Sequence, residues 1–219
     1  MSDSQRDARI PVLVLAAVLG VFVWSGLAPR DRFTWYLEVF PAALAIPLLV
    51  LTYRRFPLTS IAYAVIGLHA VILLVGGHYT YAEVPLFNWI RDAFHLSRNH
   101  YDRIGHFAQG FVPAIVAREV LLRRSPLRPG KWLFVIVFSI CMAISALYEL
   151  FEYGVAVATG SAADAFLGSQ GDPWDTQNDM LQCLIGSVTA LVLMSRWHNR
   201  QMTAISKHES DSTARVGKT

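Results

Sequence analysis

Six stretches of 18 to 22 mostly apolar residues dominate this 219-residue chain: 10–28, 33–53, 58–76, 104–122, 132–153 and 180–197. About 20 such residues, coiled at roughly 1.5 Å per residue, cross the ~30 Å hydrocarbon of a bilayer. Lipid offers the backbone no hydrogen-bond partners, so a crossing segment has to satisfy its own amides, and an α-helix does this within one segment. The expected fold is all-α, a polytopic membrane bundle of six transmembrane helices. Composition agrees, since 54% hydrophobic and 16% charged residues are too apolar a mixture for an ordinary soluble domain of this size. The first stretch follows Arg6 and Arg9 as a signal peptide would, but its core is long and no clean small-x-small cleavage site follows. It reads as a retained helix. Cys141 and Cys183 fall at different depths in two spans, which fits buried free thiols better than a disulfide or a metal pair.

Lysine and arginine set the expected orientation. With alternating spans, 14 of the 19 basic residues lie on the side of the two termini and five (Arg30, Arg32, Arg91, Arg98 and Arg103) on the other. The positive-inside rule then puts both termini in the cytoplasm of a bacterial inner (plasma) membrane. The net charge of +3 follows from this topology and from attraction to anionic lipid heads. Membrane lipids are the expected partners; no nucleic acid is required, and nothing in the chain specifies an oligomeric state.

Residues 1–197 form the expected transmembrane domain, and the Ser/Thr-rich segment 198–219 reads as a disordered cytoplasmic tail. Between the third and fourth spans, "PLFNWIRDAFHL" sets Leu86, Ile90, Ala93 and Phe94 on one face. Asn88, Arg91, Asp92 and His95 lie on the other, the pattern of an amphipathic helix in the interface with Trp89 at headgroup depth. Pro85 suits its first turn. Segment 154–171 reads as a small, acidic periplasmic loop.

Ionisable residues gather toward one leaflet. Glu38 opens the second span, His78 and Glu83 follow the third, Asp102 and His106 open the fourth, Glu149 and Glu152 close the fifth, and Asp179 opens the sixth. On the expected topology all lie on the outer side. Such groups are costly in a membrane and usually face a bundle interior or a wet cavity. Spacing adds to this. Asp102 and His106 share a helix face with Gln109; Glu149 and Glu152 share one with Ser145; Asp175 and Asp179 share one with Gln182 and Gly186. Gly186 would let a neighbouring backbone come close. Two carboxylates on one membrane face repel unless a proton or a cation joins them, and no basic residue lies between Lys131 and Arg196. Local roles compete with this reading. "DPWD" starts a helix by itself, with Asp172 as cap and Pro173 at the first position. Asp102 can pair with Arg98 or Arg103, His69 reads as an isolated packing residue, and His78 stands among tyrosines that suit an interfacial belt.

The strings "HYTYAEVPLFNW", "YDRIGHFAQGFVPAIVAREVLLR", "ALYELFEY" and "ADAFLGSQGDPWDTQNDM" resemble the bacterial inner-membrane YjdF family, which has no assigned function, over residues 78–197. More distantly, the order Asp-x-x-x-His, Glu-x-x-Glu, Asp-x-x-x-Asp resembles the VanZ-like membrane proteins. This chain has Arg103 where that pattern usually has Lys, Glu152 where it has Gln and Asp179 where it has Asn. The two extra acids make the site more anionic.

Two function classes follow. In the first the cluster is an enzyme site acting on a lipid or envelope substrate. Its carboxylates and imidazole suit a divalent metal, namely Zn, Mg, Mn or Fe. His106, Glu149, Glu152, Asp175 and Asp179 would be ligands or general bases, and Asp102 would orient His106. His78, Glu83 and Asp172 are additional candidates. In the second class the acids relay protons or hold a cationic group in a carrier or binding protein for a lipid or small solute. The absence of an evident repeat weighs mildly against a secondary transporter.

Overall fold

The computed structural model describes residues 3–216, with the side chains of residues 9–206. Among the described residues every regular element is helical. The order is α1 (Asp3–Gly26), α2 (Arg32–Thr52), α3 (Ser60–Tyr79), α4 (Pro85–Ala93), α5 (Tyr101–Arg124), α6 (Lys131–Thr159), α7 (Asp164–Leu167), α8 (Asp175–Thr189) and α9 (Ser195–Val216). A π-helical segment, Ala190–Met194, joins α8 to α9. Helix starts follow local chemistry. The Asp31 carboxylate accepts the Thr34 N–H at 2.6 Å to cap α2, and that bond holds the carboxyl below its usual range. The Thr59 hydroxyl caps α3 by accepting the Ala62 N–H.

Five helical stretches are long and apolar enough to cross a membrane: Arg9–Gly26, Arg32–Thr52, Ser60–Tyr79, Lys131–Leu167 and Asp175–Ser206. The fourth expected span is α5. Its 24 residues reach about 36 Å, yet Asp102, Arg103, His106, Gln109, Arg118 and Glu119 dilute its hydropathy. Those groups are sheltered because α5 packs against α3, α6 and α8. Large apolar side chains point outward instead, with Leu13, Leu44, Leu48, Leu51, Leu147 and Leu193 all more than half exposed. Polar inside and apolar outside is the distribution that hydrocarbon solvent demands.

The tightest contact in the bundle joins α5 to α8. A Cβ on Gly110 would overlap the Cys183 carbonyl, and one on Gly186 would overlap the Phe107 carbonyl. The two glycines therefore let the backbones touch. Cys141 and Cys183 are buried and free, as expected. The short helix α4 also forms as expected, starting at Pro85 with Leu86, Trp89 and Phe94 exposed.

Three boundaries differ from the sequence expectation. α6 continues to Thr159, so the loop expected over 154–171 is mostly helical turns. α8 starts at Asp175, five residues before the apolar run. The tail expected to be disordered from residue 198 continues as helix to Val216; residues 217–219 lie outside the described residues. His198 and Met202, four apart, are buried on one face of α9, and that packing overrides the polar composition of the segment.

Candidate functional site

Asp102 and His106 lie one turn apart on α5, with His106 Nε2 at 3.4 Å from Asp102 Oδ1. Across the glycine contact, α8 brings Asp179 Oδ1 to 3.9 Å from the same nitrogen. One ligand atom from each of the three side chains fits within 4.8 Å of the others, and all three are buried. On its other edge, His106 Nδ1 is 3.1 Å from Gln109 Oε1. A carbonyl oxygen can only accept, so Nδ1 carries a proton; on a neutral ring the Nε2 lone pair faces the two carboxylates, and on an imidazolium Nε2–H donates to Asp102. The three ligand atoms converge there, and Asp179 Oδ1 also accepts from Arg103 Nη1.

From α6, Glu149 Oε1 lies 3.9 Å from His106 Nδ1. That oxygen and Ser145 Oγ are buried without a hydrogen-bond partner among the described residues. Glu38 of α2, buried on all sides, also carries a partnerless Oε2 and lies within electrostatic reach of Asp102 and His106.

A cavity of about 200 Å³ opens beside His106. Asp102, His106, Gln109, Glu152, Tyr81 and Tyr148 give it a polar end, and Leu73 and Ile144 give it apolar walls. Pro41 and Pro113 line it as well. Neither can donate to the carbonyl one turn back, so the Leu37 and Gln109 carbonyls lose their helix partners beside the cavity.

The counter-charges come from the α4–α5 connection. Arg98 reaches Asp175 at 2.5 Å, Asp172 at 3.4 Å and Asp102 at 3.6 Å. Arg103 reaches Asp172 at 2.9 Å and Asp175 at 3.0 Å, and it pairs closely with Asp179. Gln170 clamps the segments leading into α5 and α8: its side-chain amide accepts the Asn99 N–H and donates to the Asn99 carbonyl, both at 2.9 Å. The aspartates that stand without a basic neighbour in sequence are thus paired in space. Among the described residues seven carboxyls (Glu38, Asp102, Glu149, Glu152, Asp172, Asp175 and Asp179) gather around Arg98, Arg103 and His106, with His69 also on the cavity wall.

The structure therefore sorts the sequence candidates. It gathers Asp102, His106, Glu149 and Asp179, with Glu152 on the cavity wall. Asp175 is engaged by both arginines, and Asp102 takes its place in the three-residue group. Asp172 accepts the Trp174 N–H at 2.9 Å. That bond, with Asn178 and the two arginines, holds its carboxyl below the usual range. It organises the turn before α8 rather than occupying the N-cap position. His78 bonds the Ser25 carbonyl and stacks on Trp24, and Glu83 pairs with Arg30 and Asn88, so both stand outside the cluster. His69 is a cavity residue rather than an isolated packing residue. Tyr81 belongs to the tyrosines around His78 that suit an interfacial belt, and no sequence signal marks Tyr148; only the meeting of several elements makes both of them lining groups.

These features define a helical membrane protein with a buried, acid-rich chamber. The chain belongs to the family described as "Predicted membrane protein (DUF2238)", whose pattern matches residues 10–200. It is 47% identical over 182 residues to the inner membrane protein YjdF of Escherichia coli (strain K12), which covers 83% of this chain and 87% of the relative. No solved structure matches it.

Proposed function

We propose that the chamber holds a divalent cation between Asp102, His106 and Asp179 and that the protein is a metal-dependent enzyme acting on an amphiphilic lipid or envelope substrate. One observation carries this reading: a His106 ring nitrogen and one oxygen from each of two buried carboxylates lie within 4.8 Å of one another. A cation there removes the repulsion, and the mixed oxygen and nitrogen donors suit Mg, Mn, Zn or Fe. Arg103 on Asp179 and Gln109 on His106 are the outer partners that orient such ligands. The apolar-walled cavity with one polar end fits a substrate that is polar at one end only. Glu149 and Glu152 are the candidate general bases for water beside the metal.

The test is lipid turnover. Protein purified in detergent is incubated with bacterial lipid extract, with added divalent metal or with chelator, and headgroup changes are followed by mass spectrometry. Metal-dependent turnover that falls at least ~100-fold in Glu149→Gln, with metal retained, is the expected result. Equal turnover in chelator and metal contradicts it.

A second reading rests on Glu38, whose Oε2 is buried without a hydrogen-bond partner and whose carboxyl neighbours Tyr81 and Tyr148. Those groups suit a proton path, as in a proton-coupled carrier of a lipid or small cationic solute. Proton uptake into proteoliposomes that survives chelation favours it.

In either case we place the chamber on the periplasmic side, from the 14-to-5 division of basic residues. Cys141 and Cys183 are fully buried, so single cysteines introduced by Asp164→Cys and Arg124→Cys report cleanly. An impermeant maleimide added to intact cells is expected to label the first and spare the second. The reverse pattern inverts the topology.

A further inference from the structure

About 24 Å along α5 from Asp102, at the far end of the bundle, a second polar group has no part in the chamber. Arg118 is only 3% exposed, yet no carboxylate lies within ion-pair distance of it among the described residues. Its Nη2 donates to Asn199 Oδ1 at 2.7 Å, and its Nη1 lies 3.3 Å from His198 Nδ1. A guanidinium can only donate, so Nδ1 accepts and the ring proton sits on Nε2. That Nε2 donates to Glu119 Oε2 at 2.9 Å. Glu119 is itself saturated by the Thr59 N–H and hydroxyl and by Arg123. A neutral imidazole thus separates Arg118 from the nearest acid, and its charge has no direct partner.

Arg118 also lines a cavity of about 200 Å³ with Gly130, Leu133, Phe134, Ser195 and Asn199. α6 begins at this wall, and no side chain caps its first turn, so its free amides add positive potential there. Below the polar groups the wall is apolar, and Trp132 and Trp197 are well exposed nearby, where interfacial tryptophans mark headgroup depth. A buried, uncompensated guanidinium is costly unless an anion reaches it.

We infer that this cavity binds a phosphate group, and that its source is an anionic phospholipid whose acyl chains lie along Leu133, Phe134 and Leu191. The guanidinium and the α6 amides supply donors that match phosphate oxygens. This site is independent of the metal reading, since it shares no residue with the chamber.

Thermal unfolding of the delipidated full chain in detergent provides the test, with titrated phosphatidylglycerol, phosphatidylcholine or inorganic phosphate. Phosphatidylglycerol is expected to raise the Tm saturably, phosphatidylcholine far less. Arg118→Gln should weaken the apparent affinity roughly tenfold or more. Arg118 also holds His198 and Asn199, so a second variant guards against simple misfolding. A Cβ on Gly130 meets nothing within 4 Å, and Gly130→Leu should keep the basal Tm while blocking the mouth and removing the lipid response. Equal stabilisation by inorganic phosphate would keep the phosphate site and overturn the lipid as its source. Responses to phosphatidylglycerol unchanged in both variants, or no response in the wild-type chain, would overturn the site itself.

Discussion

Gly186→Ala is expected to separate α5 from α8 and to abolish the cation binding proposed for the chamber, although the change adds a single methyl group. That methyl would occupy the space of the Phe107 carbonyl. Backbone cannot rotate aside as a side chain can, so the helices must move apart. Overpacking of this kind costs about 1–3 kcal/mol. The functional effect should be larger than the loss of stability, because Asp102 and His106 ride on one helix and Asp179 on the other. A shift of about 1 Å between them is enough to spoil a ligand set or a catalytic geometry. Gly154→Ala is the control, since a Cβ there meets nothing within 4 Å. Metal or ligand binding and Tm, measured on both variants, should fall in the first and stay in the second. Full binding by Gly186→Ala would show that the α5–α8 contact does not set the site.

Glu119→Leu should give the largest loss of stability of any single carboxyl replacement at the end opposite the chamber. Glu119 is fully buried and ties two helices and a loop together: Thr59 before α3, Arg123 on its own helix and His198 on α9. Removing it takes the acceptor from the Thr59 amide and hydroxyl and from the His198 N–H, and one acceptor from Arg123, which keeps the Pro57 carbonyl. Breaking a buried network from one side costs about 3–5 kcal/mol. By contrast, Glu83→Leu removes an exposed pair with Arg30 at 3.4 Å, worth about 0–1 kcal/mol. Unfolding curves in detergent should rank the two variants in that order; equal midpoints would reduce the Glu119 network to a surface-like contribution.

What the sequence discloses and what it conceals follow from the range of the forces involved. Helix periodicity is local, so the α5 face carrying Asp102, His106 and Gln109 is legible from spacing alone, as is the role of Gly186. Charge balance is not local. Arg98 and Arg103 neutralise aspartates about 70 residues away because Asn99 and Gln170 clamp two loops together, and no pattern within either segment announces that clamp. His69 looks isolated on α3 because its neighbours come from α5 and α6. The polar C-terminal segment looks disordered for a similar reason. Its composition is that of a tail, but His198 has a partner on α5, and burial of that pair holds the helix in place. α5, expected as the fourth span, falls short of the other five in apolar character, and its polar groups are sheltered by the helices around it.

The metal content of the purified chain tests the central claim most directly. Protein prepared without chelator and then titrated with Mg, Mn, Zn and Fe(II) is expected to hold about one divalent ion per chain. His106→Ala and Asp179→Asn should lose it. Asp172→Asn should keep it, because Asp172 serves the Trp174 amide and the two arginines. A folded wild-type chain that binds none of these ions, or variants at His106 and Asp179 that bind as the wild type does, would contradict a cation site between α5 and α8.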